Sequence, residues 1–287
     1  MCVPDEIAVD PAERAEIEDL LAAWDPAVVV GPIRRLSGLT NRIFEVAIRD
    51  ASVAVRLPGL GTDSYIDRRV ELHNARIMSM LGIGATILHA TDGALVTAFL
   101  AGRVLSSDIL RAEPDILDRV AHLLRRVHDS TQPFASVFDP VAVMAGHRAG
   151  LADVPAGTDV LIQQFSRLAA PTRRVPCHHD PWPENFVDTA TGLRLLDWEY
   201  SAMGDPAWDL ADVVVEAALD PPATDRFLAA YSGAAVEPAL RARVADLAPV
   251  TDLLWGLWAL VQHRDANDAM DYATYGRNRI ERAARAR

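Results

Sequence analysis

The sequence predicts an α+β fold in two parts, and three observations carry that expectation. Val-rich and alternating apolar runs gather before residue 100, where they read as the strands of a small antiparallel sheet carrying one helix. After Ala101-Gly102 the apolar residues recur at i, i+3 and i+4, the period of amphipathic helices. Only Val175 to Trp198 breaks that helical texture, with two short strands expected around Phe186 and Leu195. We therefore expect a strand-rich lobe over residues 1–100 and a larger, mostly helical lobe over 101–287. A length of 287 residues suits two domains, or one domain of two lobes.

The elements follow in order. Asp10-Pro11-Ala12-Glu13 is a helix start, with a capping Asp, Pro at the first helical position and Glu three residues after the cap. Ile17, Leu20, Leu21 and Trp24 then give that helix one apolar face. Strands are expected over Ala27–Leu36, Arg42–Ile48 and Ser52–Leu57, the last two separated by a hairpin-length break at Arg49-Asp50-Ala51. A turn-prone Ser37-Gly38-Leu39-Thr40-Asn41 lies between the first two, and Pro58-Gly59-Leu60-Gly61-Thr62 reads as a loop. A helix from about Ile66 to Leu81 and strands near Thr86–His89 and Leu95–Phe99 complete the first lobe. In the second, helical spacing marks Pro114–His128, Val250–His263 and Asn267–Ala284.

Composition bounds the partners. The net charge is −12, so no basic face is expected for nucleic acid, and an acidic field suits a cationic small substrate. All 28 basic residues are Arg. Any chemistry that needs an ε-amine is excluded, and a phosphate-binding cation must be a guanidinium. The longest apolar run of interest, Leu253 to Val261, has nine residues, far from the roughly 18 that span a bilayer. Met1 to Glu6 lacks the basic-then-apolar pattern of a signal peptide, and two cysteines, Cys2 and Cys177, cannot build a disulfide framework. A cytoplasmic protein without membrane insertion is expected.

The chemistry concentrates in Cys177-His178-His179-Asp180-Pro181-Trp182-Pro183-Glu184-Asn185 and in Leu195-Leu196-Asp197-Trp198-Glu199-Tyr200. The pattern is His-x-Asp-x-x-x-x-Asn, then an apolar strand ending in Asp. Phosphoryl transfer asks for such groups, because the protein mainly positions reactants and neutralises charge. Asp180 in a rigid loop can take the proton of an attacking hydroxyl. Asn185 and Asp197 offer hard oxygen ligands to Mg²⁺. A metal cluster at Cys177-His178-His179-Asp180 is disfavoured, because adjacent side chains on an extended segment point to opposite faces and no second Cys/His pair stands at zinc spacing.

These motifs resemble the kinase-like small-molecule phosphotransferases, the superfamily of choline/ethanolamine kinases and aminoglycoside phosphotransferases, over nearly the whole chain. The resemblance implies a bilobal protein-kinase-like fold with an ATP cleft near Phe99. Ser37, Gly38, Thr40 and Asn41 resemble that superfamily's nucleotide loop. Val55-Arg56-Leu57 resembles its third strand, so Arg56, directed by Glu71 on the following helix, would hold the ATP phosphates. Asp209, twelve positions past Asp197, would brace the catalytic loop, and so short a separation leaves no room for a peptide-binding segment. Leu254-Trp255-Gly256-Leu257-Trp258, with Met270-Asp271-Tyr272, is similar to the C-terminal signature of choline kinases. Trp255 and Trp258 at i, i+3 read on spacing alone as core packing; the resemblance makes them, with Tyr272, walls of an aromatic box for a quaternary ammonium. It places Glu216 and Glu199 near the cation. ATP and Mg²⁺ are the expected cofactors and choline the expected acceptor. Ethanolamine, thiamine or an aminoglycoside are alternatives, as is an inactive kinase fold serving as a binding module.

Overall fold

The computed structural model describes residues 9–286 except 39, 50, 60–65, 92, 169 and 172. Leu39 of the predicted nucleotide loop, Asp50 of the predicted hairpin and Leu60, Gly61 and Thr62 of the predicted loop therefore lie outside the described residues. The chain divides into two compact units. One runs up to Arg103 and takes back Thr189–Glu199; the other comprises Val104–Asp188 and the chain from Tyr200 onward. The return segment 189–199 falls inside the span that the sequence assigned to the helical lobe.

In the first unit, Asp10 caps α1 (Pro11–Trp24) by accepting the Ala12 N–H at 2.7 Å. Strands β1 (Val30–Leu36), β2 (Arg42–Ile48), β3 (Ala51–Leu57), β4 (Ile87–Thr91) and β5 (Ala94–Ala98) form one antiparallel sheet in the order β1-β2-β3-β5-β4. Side-chain alternation sorts β3 cleanly. Val53, Val55 and Leu57 face a core shared with Ile17, Leu20 and Leu21 of α1, together with Phe44, Val46 and Val96. Arg56, between two of them in the strand, points to the opposite face. There α2 (Arg68–Met80) supplies Glu71; Asp67 caps this helix by accepting the Arg69 and Val70 N–H groups at 3.0 and 3.3 Å. β9 (Gly192–Leu195, numbered in chain order) also belongs here, and its Leu195 N–H donates to the Ile83 carbonyl at 3.0 Å.

The chain leaves the first unit along β6 (Gly102–Val104), and β8 (Phe186–Thr189) carries it back. The second unit is built from α3 (Ser107–Ala112), α4 (Pro114–His128), α5 (Pro140–Ala149), α6 (Thr158–Phe165), α7 (Pro206–Glu216), α8 (Pro221–Ser232), α9 (Pro238–Arg264) and α10 (Tyr272–Arg285). A short ribbon, β7 (Val175–Cys177) paired antiparallel with β10 (Ala202–Gly204), accompanies them.

The predicted α4 matches its observed span, whereas α10 begins at Tyr272 rather than Asn267. The three-residue strands β6, β7 and β10 carry too few residues to show a period. α9 begins at Pro238, ahead of the expected Val250, and continues through Pro249, although a proline ring removes a donor and crowds the preceding turn. Burial of nearly every residue from Val250 to Gln262 overrides that local cost. By length and composition α9 could cross a membrane, but 83% of its apolar window is buried inside the protein, as in a core helix. Gly256 and Gly276 let α9 and α10 approach closely: a Cβ at Gly276 would stand 2.8 Å from the Gly256 carbonyl oxygen.

Candidate active site

The strand-rich unit gathers a network of opposite charges. Arg56 donates through Nη1 to Glu71, and through Nη2 to Glu71 Oε2 at 3.1 Å and the Gly93 carbonyl at 3.0 Å. The sequence-predicted Arg56–Glu71 pair is thus formed, with both side chains nearly buried. Arg68, which the motifs did not flag, donates to Glu71 at 2.9 Å and to Glu199 at 3.1 Å. Asn41 donates to Glu199 Oε2 at 2.9 Å and accepts from Arg68 at 3.2 Å, while the Thr40 hydroxyl reaches Glu199 at 3.4 Å. Glu199, expected beside a substrate cation, is held by Arg68, Asn41 and Thr40. Ser37 and Gly38 are exposed, and a Cβ on Gly38 would stand 2.5 Å from the Asn41 carbonyl, so the tight turn needs glycine. Phe99 closes β5 with its N–H on the Ser52 carbonyl at 3.3 Å.

Asp197 lies in the same unit, in the left-handed region at φ 62°, an uncommon conformation for a side chain that is not glycine. Its Oδ1 is buried without a hydrogen-bond partner among the described residues, and so is Arg56 Nε. Burial, then the charge of Glu199, pushes the Asp197 carboxyl well up, with Arg56 pulling the other way. A buried acceptor and a buried donor, each lacking a partner, suit a bound cation and a bound anion respectively. That is a fit for a metal–phosphate pair.

The second unit holds the His-x-Asp loop. Asp209, fully buried on α7, accepts the N–H groups of His178 at 2.7 Å and His179 at 2.8 Å, and contacts His128 Nε2 at 3.0 Å. Burial alone would raise its carboxyl. The His128 bond and the neighbouring imidazoles outweigh burial and hold it at about 2, so Asp209 is an anion that clamps the loop backbone. His178 Nδ1 accepts the Asp180 N–H at 3.3 Å, and Asn185 Nδ2 donates to the Asp180 carbonyl at 3.0 Å. The loop is thus closed across the four residues between its Asp and its Asn. His179 sits at φ 68°, stacks on Phe138 at 4.0 Å between centroids, and is driven down to about 4 by burial. It is a neutral packing residue. A Cβ on Gly204 would stand 2.1 Å from its ring. His128, Cys177 and Asp209 bring possible ligand atoms within 4.8 Å of one another. His128 is already shared between Asp209 and the Tyr231 hydroxyl, at 2.9 Å, and burial raises the Cys177 thiol well above its usual range, away from the thiolate that a metal would need.

The same unit also brings the predicted aromatic residues together. Tyr200, Trp255, Trp258 and Tyr272 form a run of edge-on pairs with centroids 5.2, 5.9 and 5.6 Å apart and interplanar angles of 79°, 88° and 79°. Tyr200 joins the three rings that the sequence named. Glu216, expected to face a substrate cation, is tied to Arg279 of α10. Asp212, which no motif flagged, accepts the Trp255 Nε1–H at 3.0 Å.

A unit with a five-stranded sheet and a strand Arg tied to a helix Glu, and a helical unit with a braced His-x-Asp loop, are the parts of the protein-kinase-like fold. Its class is the phosphotransferases. The family model described as "Phosphotransferase enzyme family" matches residues 32–247, and the chain belongs to that family; it is an enzyme, a small-molecule kinase by class. Among solved structures it is similar to a choline/ethanolamine kinase family protein from Mesorhizobium loti, with TM-score 0.83, 32% identity, and coverage of 95% of this chain and 94% of that one. It is also similar to the choline kinase LicA from Streptococcus pneumoniae, with TM-score 0.83, 26% identity, and coverage of 96% and 98%. Among curated proteins, "Protein LicA" of Haemophilus influenzae is 26% identical over 84% of this chain and 76% of its own length.

Proposed function

We propose that the chain is a cytoplasmic choline kinase that transfers the γ-phosphoryl group of ATP to the hydroxyl of choline. The observation that carries the acceptor is the run of perpendicular rings through Tyr200, Trp255, Trp258 and Tyr272. A trimethylammonium group has no N–H to donate, so the faces of such rings are its natural host, each contributing roughly 0.5–2 kcal/mol. A primary ammonium needs acceptors for its protons and loses hydration among rings that lack them.

Asp180 would orient the hydroxyl and receive its proton. Asp209 and His178 support that role by fixing the backbone that leads into it. Arg56, directed by Glu71, would neutralise phosphate charge through its free Nε–H. Asp197, with its unpartnered Oδ1, is the proposed oxygen ligand of Mg²⁺, which when bound supplies further neutralisation of the phosphates. The test is turnover of ATP with choline, ethanolamine, thiamine and an aminoglycoside, following ADP release and the phosphate ester by ³¹P NMR. Choline should be favoured over ethanolamine by at least about tenfold in kcat/KM. Ethanolamine as the better substrate, or no turnover of any alcohol, would overturn the reading.

A further inference from the structure

A buried cluster between α7, α9 and α10 of the second unit contains one carboxylate more than its cations can neutralise. Its acids are Asp212, Glu216 and Asp252; its guanidiniums are Arg279 and Arg282. Glu216 pairs with Arg279, whose Nη1 also reaches the Tyr275 hydroxyl. Asp252 pairs with Arg279 at 3.2 Å and takes both a 2.7 Å bond and a second contact from Arg282. Asp212 is left with one neutral donor, the Trp255 indole N–H, on Oδ1. Its Oδ2 is fully buried and has no hydrogen-bond partner among the described residues. A buried carboxylate so placed is costly unless a cation joins it. Burial, then the charge of Glu216, raises its carboxyl well above the usual range, against the pull of Arg279.

The indole that Asp212 accepts from is also the second ring of the aromatic run, so one oxygen of this carboxylate is bonded to that run and the other is unpartnered. We propose that Asp212 is the counter-anion of the substrate's ammonium group and a specificity-determining residue of the site. This rests on the reading of the rings as the ammonium site. Asp212 supplies the attraction of opposite charge, which every ammonium alcohol shares. The ring faces then separate a methylated nitrogen from a protonated one. Glu216 and Glu199 differ from Asp212 in that each already has a guanidinium counter-charge bonded to it.

The experiment compares choline with 3,3-dimethylbutan-1-ol, which has the same shape and hydroxyl but carbon in place of the charged nitrogen. Binding of each alone is read by quenching of indole fluorescence, and turnover of each with ATP is read separately. In the wild type choline should bind more tightly than its neutral isostere. Asp212→Asn keeps the shape and should weaken choline by about 10–100-fold, while changing the isostere by less than threefold. Equal losses for both alcohols would assign Asp212 to packing alone. No loss for either, or no difference between the alcohols in the wild type, would also overturn the proposal. Should Asp212→Asn fail to fold, Asp212→Glu retains the charge and must still discriminate between the two alcohols. Choline that binds with this Asp212 dependence but is not phosphorylated would refute the kinase reading and leave the counter-anion standing.

Discussion

Asp180 is half-buried at the mouth of a loop whose backbone is held on one side by Asp209 and on the other by Asn185. With its surroundings fixed by other residues, its carboxylate can be removed without dismantling the loop. Asp180→Ala should therefore lower kcat by about 10²–10⁴-fold, the usual worth of a positioned proton acceptor, while nucleotide affinity stays near wild type. A variant that keeps more than about a tenth of wild-type kcat would refute the assignment. His-x-Asp-x-x-x-x-Asn was legible in the sequence because its members are close along the chain, and a loop that closes over five residues leaves a fixed spacing. The partners of Glu199 and Glu216 were not legible. Arg68 lies 131 residues from the first, and Arg279 lies 63 residues from the second. No local period records which of several acids such a guanidinium will meet. Asp212 was hidden for the same reason: its significance is an oxygen without a partner, and sequence shows only oxygens.

Among the elements, helix beginnings were easier to read than helix ends. Asp10, Asp67, Ser106, Asp139, Asp205, Asp220 and Asp271 each cap a helix through their side chain, and Asp or Ser before Pro or an apolar period is a visible signal. Three helices of the second unit end with a left-handed residue. α8 places Gly233 there at φ 67°, whereas α7 and α9 use Ala218 at φ 48° and Ala266 at φ 57°. Beyond each alanine the next N–H reaches back five residues, Leu219 to Val214 at 3.0 Å and Asn267 to Gln262 at 3.1 Å, which is the Schellman closure. Alanine carries a Cβ penalty in that conformation of roughly 1–2 kcal/mol. Ala266→Gly should consequently raise stability by about 1 kcal/mol, partly offset by the greater freedom of glycine when unfolded. Differential scanning calorimetry would show this as a melting temperature higher by about 2 °C; an unchanged or lowered value would mean that the strain is absent. The missing glycine is also why these two stops left no mark in the sequence.

For the molecule as a whole, acid stability has an identifiable contributor. The Asp209 carboxyl titrates at about 2 in the fold against 3.8 as a free side chain. Its stabilisation is fully present above about pH 4 and is lost as the pH falls toward 2, amounting to about 2 kcal/mol. Asp209→Asn cannot accept both loop N–H groups as a carboxylate does, so it should be less stable near neutrality and show a shallower loss of stability between about pH 4 and 2. Urea titrations across that range would measure both effects, and an acid limb as steep as that of the wild type would show that other carboxylates govern it. The two-part fold itself was legible, because a change from strand to helix period survives every local ambiguity. The return of residues 189–199 to the first unit was not, since a chain crossing has no periodicity. That crossing bears on how the protein is made. Synthesis runs from the N-terminus at roughly 5–20 residues per second, so Glu199 leaves the ribosome about 5–20 s after Arg103. During that interval the nascent strand-rich unit lacks the carboxylate that later binds Arg68, Asn41 and Thr40. It can reach its finished charge balance only after about half of the other unit has been translated, and a fragment cut at Arg103 would keep that imbalance permanently.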